Sequence, residues 1–93
     1  MSSLTVQAVC GFGVGSSTLL KIKIGSILND LGIEAKVFTG DLSSLDTACD
    51  VIVTTKELAE NVRERANVSV IVISNLMDSE EIKEKMEEFL KNR

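Results

Sequence analysis

The stretch Leu4-Thr5-Val6-Gln7-Ala8-Val9-Cys10-Gly11-Phe12-Gly13-Val14-Gly15-Ser16-Ser17 decides the fold. Leu4 to Val9 is apolar with a mixed rather than strictly alternating period, which suits a strand buried on both faces. Glycines at 11, 13 and 15 then mark a turn whose backbone can approach a ligand closely. From Ser16 or Ser17 the residues Leu20, Ile24, Ile27, Leu28 and Leu31 recur at helical spacing, and Leu19 and Ile22 widen that face. Gly32 is placed to end the helix in the left-handed conformation. A strand, a small-residue turn and a helix N-terminus thus surround one thiol, that of Cys10.

Beyond this unit, strands are expected at Glu34–Thr39, Asp50–Thr54 and Ser69–Ile73, with residues 42–48 forming a loop that holds one helical turn. Thr54 and Glu57 have capping-box spacing, so a short helix is expected to start there, carrying Leu58, Ala59, Val62 and Ala66 on its apolar side. Asp78-Ser79-Glu80-Glu81 resembles another capping box, opening a last helix with Ile82, Met86, Phe89 and Leu90 as its stripe. The order β-α-β-β-α-β-α, with right-handed crossovers, predicts an α/β fold. It is a small doubly wound, Rossmann-like parallel sheet of four strands in the order 2-1-3-4, flanked by helices. Residues 1–93 read as a single domain. The strand order reverses beside the first strand, and a crevice is expected at that strand's C-terminal end, where Cys10 falls.

Composition narrows the function. The net charge is −4 and the lysines and arginines are dispersed, which argues against nucleic-acid binding. No stretch approaches the roughly 18 apolar residues of a membrane span, and the N-terminus lacks the pattern of a secretory signal, so a cytoplasmic location is expected. Two widely spaced cysteines and no histidine make a poor zinc site and exclude a Cys–His nucleophile pair within the chain. Neither a metal, a cofactor nor a structural disulfide is expected.

The loop suits a thiolate that carries phosphate. A helix N-terminus lowers a thiol pKa, and backbone N–H groups from Gly11 to Ser17 could cradle the anion. The hydroxyls of Ser16 and Ser17 could donate to it or cap the helix. Other phosphate motifs fail on particular residues. A low-molecular-weight cysteine phosphatase needs Cys-x-x-x-x-x-Arg-Ser; Ser17 fits, but Ser16 stands where the arginine should be. No glycine is followed by lysine, so there is no nucleotide P-loop. The dinucleotide fingerprint that begins Gly11-Phe12-Gly13 breaks at Ser16, and Gly13 occupies the second cysteine's place in Cys-x-x-Cys. Elsewhere the bland readings prevail. Cys49 packs, Lys21 and Lys23 are solvated, and Asp41 and Asp50 cap or turn the chain. Thr54 and Thr55, which end the third strand beside the crevice, favour capping over substrate contact.

The run Val9-Cys10-Gly11-Phe12-Gly13-Val14-Gly15-Ser16-Ser17, followed by an aliphatic helix with Lys21 and Lys23, resembles the enzyme IIB components of the bacterial sugar phosphotransferase system. The ascorbate-type branch, with its Cys-Gly-x-Gly-x-Gly-Ser-Ser loop, is the nearest; galactitol-type and lactose- or cellobiose-type loops are less similar. The strand end Asp50-Val51-Ile52-Val53-Thr54-Thr55 and the length also fit, so the resemblance spans nearly the whole chain. It implies that Cys10 accepts a phosphoryl group from a phosphohistidine on a IIA partner. Cys10 would pass it to a sugar, L-ascorbate in that branch, held by a membrane-embedded IIC transporter, with Gly11, Phe12, Gly13, Val14, Gly15, Ser16 and Ser17 as the phosphate-binding loop. Peripheral association with the transporter follows. The alternatives are a non-catalytic anion-binding or regulatory module and a cysteine phosphatase-like enzyme.

Overall fold

A computed structural model of the chain describes residues 4–9, 14–41, 43, 45, 47–75 and 78–92, and of residues 14–17 only the backbone. Among the described residues the elements run β1 (Leu4–Val9), α1 (Val14–Asp30), β2 (Ala35–Gly40), β3 (Val51–Thr55), α2 (Ala59–Arg65), β4 (Ser69–Ile73) and α3 (Ser79–Lys91). The strands form one sheet in the order β2-β1-β3-β4, and every pairing is parallel. This is the architecture expected from the sequence.

The two faces of the sheet differ because side chains alternate along each strand. Leu4, Val6 and Ala8 of β1, Val51 and Val53 of β3, and Ile71 and Ile73 of β4 share one face with Leu20, Ile24, Ile27 and Leu28 of α1 and Ile82 and Met86 of α3. Full burial of a Leu or Ile side chain contributes about 1.5–3 kcal/mol, so this larger face dominates stability. The opposite face is thinner: Val9 and Ile52 pack on Val62 and Ala66, with Cys49, Leu58 and Val70 partly buried around them.

α1 ends as its glycine requires. Gly32 has φ +73°, its N–H reaches Asn29 O at 3.0 Å, and the N–H of Ile33 reaches Leu28 O at 2.9 Å. These two bonds make a Schellman motif, and the contact it commonly carries is supplied by Leu28 and Ile33 within the larger core. The chain leaves the helix directly into β2.

Three expectations need correction. Ile22 does not widen the buried face of α1, being 61% exposed. The stripe set by Leu20, Ile24 and Leu28 is narrow, and position 22 projects away from it. The helix also starts at Val14, before Ser16, so Val14, Gly15, Ser16 and Ser17 form its first turn rather than a loop. A glycine costs a helix interior roughly 1 kcal/mol, which packing of α1's apolar stripe readily offsets. Finally, Thr54 does not cap α2. It lies inside β3, and α2 opens at Ala59 behind Leu58, which makes no side-chain cap bond. The pairing of Thr54 and Thr55 with Val72 and Ile73 of β4 holds both threonines in the sheet. The opening of α3 is closer to expectation: Asp78 Oδ1 accepts from Glu81 N at 3.2 Å. The Glu81 carboxylate, however, reaches past the cap to the N–H groups of Ser74 and Asn75.

Candidate functional site

The sheet places its topological switch between β1 and β3, whose chain connections leave in opposite directions. Val9, the last residue of β1, pairs with Gly40 on one side and Thr54 on the other. Cys10 is the next residue in the chain, and α1 opens at Val14. Cys10, Gly11, Phe12 and Gly13 lie outside the described residues. They join the end of the central strand β1 to the N-terminus of α1.

A helix N-terminus presents backbone N–H groups that lack intrahelical partners and the positive end of the dipole. The first turn of α1 contains no acidic residue, whereas α2 has Glu60 and α3 has Glu80 and Glu81 in theirs. α2 and α3 therefore meet their own dipoles with carboxylates in the first turn, and α1 does not. The side chains of Ser16 and Ser17 lie outside the described residues, so their hydroxyl roles rest on sequence.

Thr54 and Thr55 bound the same end of the sheet. They are 0% and 4% exposed, and neither Oγ1 has a hydrogen-bond partner among the described residues. Alternation puts Thr54 on the face of Ile52 and α2, and Thr55 on the face of Val51, Val53 and α1. Sequence reasoning assigned them to capping because Thr54 and Glu57 have the right spacing. The strand pairing that overrides this spacing is not a local signal.

Gln7 is the residue that sequence reasoning missed. It is 0% exposed in the middle of β1, and its Nε2 donates to Cys49 Sγ at 3.7 Å. A Cβ at Gly40 would stand 2.7 Å from Gln7 Cδ and press on Oε1, so the carboxamide occupies the space that the glycine leaves. Cys49 packs as expected, and it also receives this bond. Asp50 lies at the other end of the sheet: its Oδ2 accepts from Thr5 N at 2.8 Å, and its own N–H donates to Thr5 O at 2.9 Å. It fastens the start of β3 to β1, away from the switch point. Lys21 is exposed, and Lys23 Nζ donates to Ser79 Oγ at 3.0 Å, tying α1 to the start of α3.

A four-stranded parallel sheet of this order, flanked by three helices, defines a small Rossmann-like α/β domain. Residues 5–88 match the family described as PTS system, Lactose/Cellobiose specific IIB subunit. Because that match covers most of the chain, the chain belongs to the IIB family of the sugar phosphotransferase system. Among curated relatives, the ascorbate-specific PTS system EIIB component of Mycoplasma pneumoniae is 33% identical over 95% of this chain and 96% of its own length. The protein of the same name from Escherichia coli O157:H7 is 26% identical over 96% of this chain and 91% of its own. The lactose-specific IIB domain of Streptococcus pneumoniae superposes with a TM-score of 0.67, covering 97% of each chain at 15% identity, and so shares the fold. The protein is a IIB component acting in sugar phosphotransfer, which is a phosphotransferase role. IIB components work in general with IIA and IIC partners. Among the described residues no helix is long and apolar enough to cross a membrane.

Proposed function

We propose that this chain is the phosphocysteine relay of an ascorbate uptake system, with Cys10 as the residue that carries the phosphoryl group. The observation that carries this reading is the position of Cys10 between the last residue of β1 at the switch point and the helix α1. The first turn of that helix has no carboxylate. The helix field favours the thiolate, which is the attacking species.

In the first transfer the Cys10 Sγ thiolate attacks the phosphorus of a phosphohistidine on the IIA partner. The S–P bond forms, the N–P bond breaks, and the imidazole leaves with the electron pair of that bond. In the second, a hydroxyl oxygen of the sugar held by IIC attacks the same phosphorus. The O–P bond forms, the S–P bond breaks, the thiolate returns, and the hydroxyl proton passes to solvent. Amides of Gly11, Phe12 and Gly13 and of the first α1 turn, Val14 to Ser17, hold the phosphoryl oxygens between the two steps. The work takes place on the cytoplasmic side, with the protein docked on the transporter.

L-Ascorbate is favoured over lactose and cellobiose because the two relatives described above carry ascorbate-specific names. The test is to incubate the protein with phosphoenolpyruvate, the general phosphotransferase proteins and a cognate IIA, and to measure intact mass. A phosphate adduct that Cys10→Ser abolishes is expected. An adduct that survives the substitution, or none with the wild type, overturns the assignment of Cys10. Adding IIC membranes with L-ascorbate, lactose or cellobiose should discharge the adduct with L-ascorbate alone. Discharge by a disaccharide instead would reassign the sugar.

A further inference from the structure

We infer that the hydroxyl of Thr55 is a hydrogen-bond donor held in reserve for the phosphoryl group, an inference that rests on the reading of Cys10 as its carrier. Thr55 is 4% exposed and its Oγ1 has no partner among the described residues. A buried unsatisfied hydroxyl costs roughly 1–3 kcal/mol. Valine has nearly the same shape, and β3 already uses it at positions 51 and 53 on the same face. A core position with nothing to bond would be better served by valine.

The place of Thr55 says what it waits for. It is the last residue of β3, one step beyond Thr54, which pairs with Val9. Neighbouring strands lie about 5 Å apart, so the point from which the chain continues to Cys10 is within side-chain reach of the end of β3. Thr55 also shares the face on which α1 packs, and that helix's N-terminus is at this end of the sheet. Thr54 is the internal contrast: equally buried and equally unpartnered, it faces α2 instead. A dianionic phosphoryl group arriving beside α1 would give Thr55 an acceptor. The hydrogen bond would form away from water, where it keeps most of its strength.

The bond exists only in the phosphorylated state, so it shifts the equilibrium of phosphoryl exchange between IIA and this protein. Thr55→Val should lower the equilibrium ratio of phospho-Cys10 to phospho-IIA about tenfold, the effect of losing a hydrogen bond to a charged group. The variant should melt no lower than the wild type. Thr55→Ser, which restores the hydroxyl, should return the ratio to within about twofold of wild type, whereas Thr54→Val should leave it unmoved. The ratio is read by intact mass of both proteins after exchange has reached equilibrium. A folded Thr55→Val with the wild-type ratio overturns the inference, as does an equal shift in Thr54→Val. Should Thr55→Val fail to fold, Thr55→Ala against Thr55→Ser decides the matter by the same ratio. If the wild type takes no phosphate, or Cys10→Ser still takes it, the Cys10 reading itself has failed, and this inference falls with it.

Discussion

The two ends of the sheet are built on opposite terms. At the end where the strands begin, polar groups are matched across chain connections. Leu4 N donates to Glu34 O at 3.1 Å, and Thr5 exchanges bonds with the backbone and carboxylate of Asp50. The α1–β2 corner there is closed by the Schellman bonds around Gly32. At the end where the strands finish, two buried threonine hydroxyls have no partner among the described residues, and the first turn of α1 holds no carboxylate. The first end holds the sheet together. The second forgoes such pairing at both threonines, which costs stability rather than adding it. The β4 corner is the exception at that second end. There Glu81 accepts from Ser74 N at 3.1 Å and Asn75 N at 2.9 Å.

The contrast can be broken most severely at Gly40, where β2 finishes. Gly40→Ala brings a Cβ against the buried Gln7 carboxamide. A loss of about 2–3 kcal/mol in urea unfolding is expected, because overpacking a filled site forces off-rotamer side chains. Adding Gln7→Ala should recover part of that loss if the clash is its source. An undiminished loss in the double variant would place the strain elsewhere.

A smaller effect is expected where the strands begin. Asp50→Ala removes the carboxylate bonded to Thr5 N and should cost about 1 kcal/mol, since the pair is exposed and water replaces part of the bond. Phosphoryl exchange should be unaffected, because this end is remote from the switch point. A variant as stable as wild type but slower in exchange would erase the division of labour between the two ends.

The mildest test concerns Glu81. Its pKa is lowered, first by the hydrogen bond from the Asn75 backbone, with Ser74 adding to the effect. A carboxylate with a depressed folded-state pKa contributes stability that is fully present above its unfolded value, 4.5 here. That contribution fades as pH falls through the lower folded value. The melting-temperature difference between wild type and Glu81→Gln should therefore be steady at neutral pH and close in acid. A difference independent of pH would show that the carboxylate charge does not hold this corner.

How far the fold could be read from sequence follows from the range of each signal. β1 and β4 run from Leu4 to Val9 and from Ser69 to Ile73, as expected, because continuous apolar runs bounded by polar residues are local. The C-terminal glycine of α1 was equally legible, since φ > 0 at Gly32 is a property of one residue. The start of α1 was not. Three glycines read as a loop, yet the helix takes in Gly15 and begins at Val14, and Leu20 and Ile24 of the following turns pack into the core. Thr54 departs from its local signal for a related reason: its spacing to Glu57 is local, while its pairing with Val9 and Val72 spans the sheet.

The sequence by itself determined the strand-turn-helix unit around Cys10, the parallel α/β class and the family, because these depend on residue types at short spacing. Only the tertiary structure decided which polar groups go unsatisfied. Gln7, Thr54 and Thr55 look alike as polar residues in or at the end of an apolar strand. Burial and partners separate them: Gln7 finds the Cys49 sulfur and the space beside Gly40, while the two threonine hydroxyls find no partner among the described residues. A hydroxyl's worth depends on what surrounds it, and strands distant in sequence supply those surroundings.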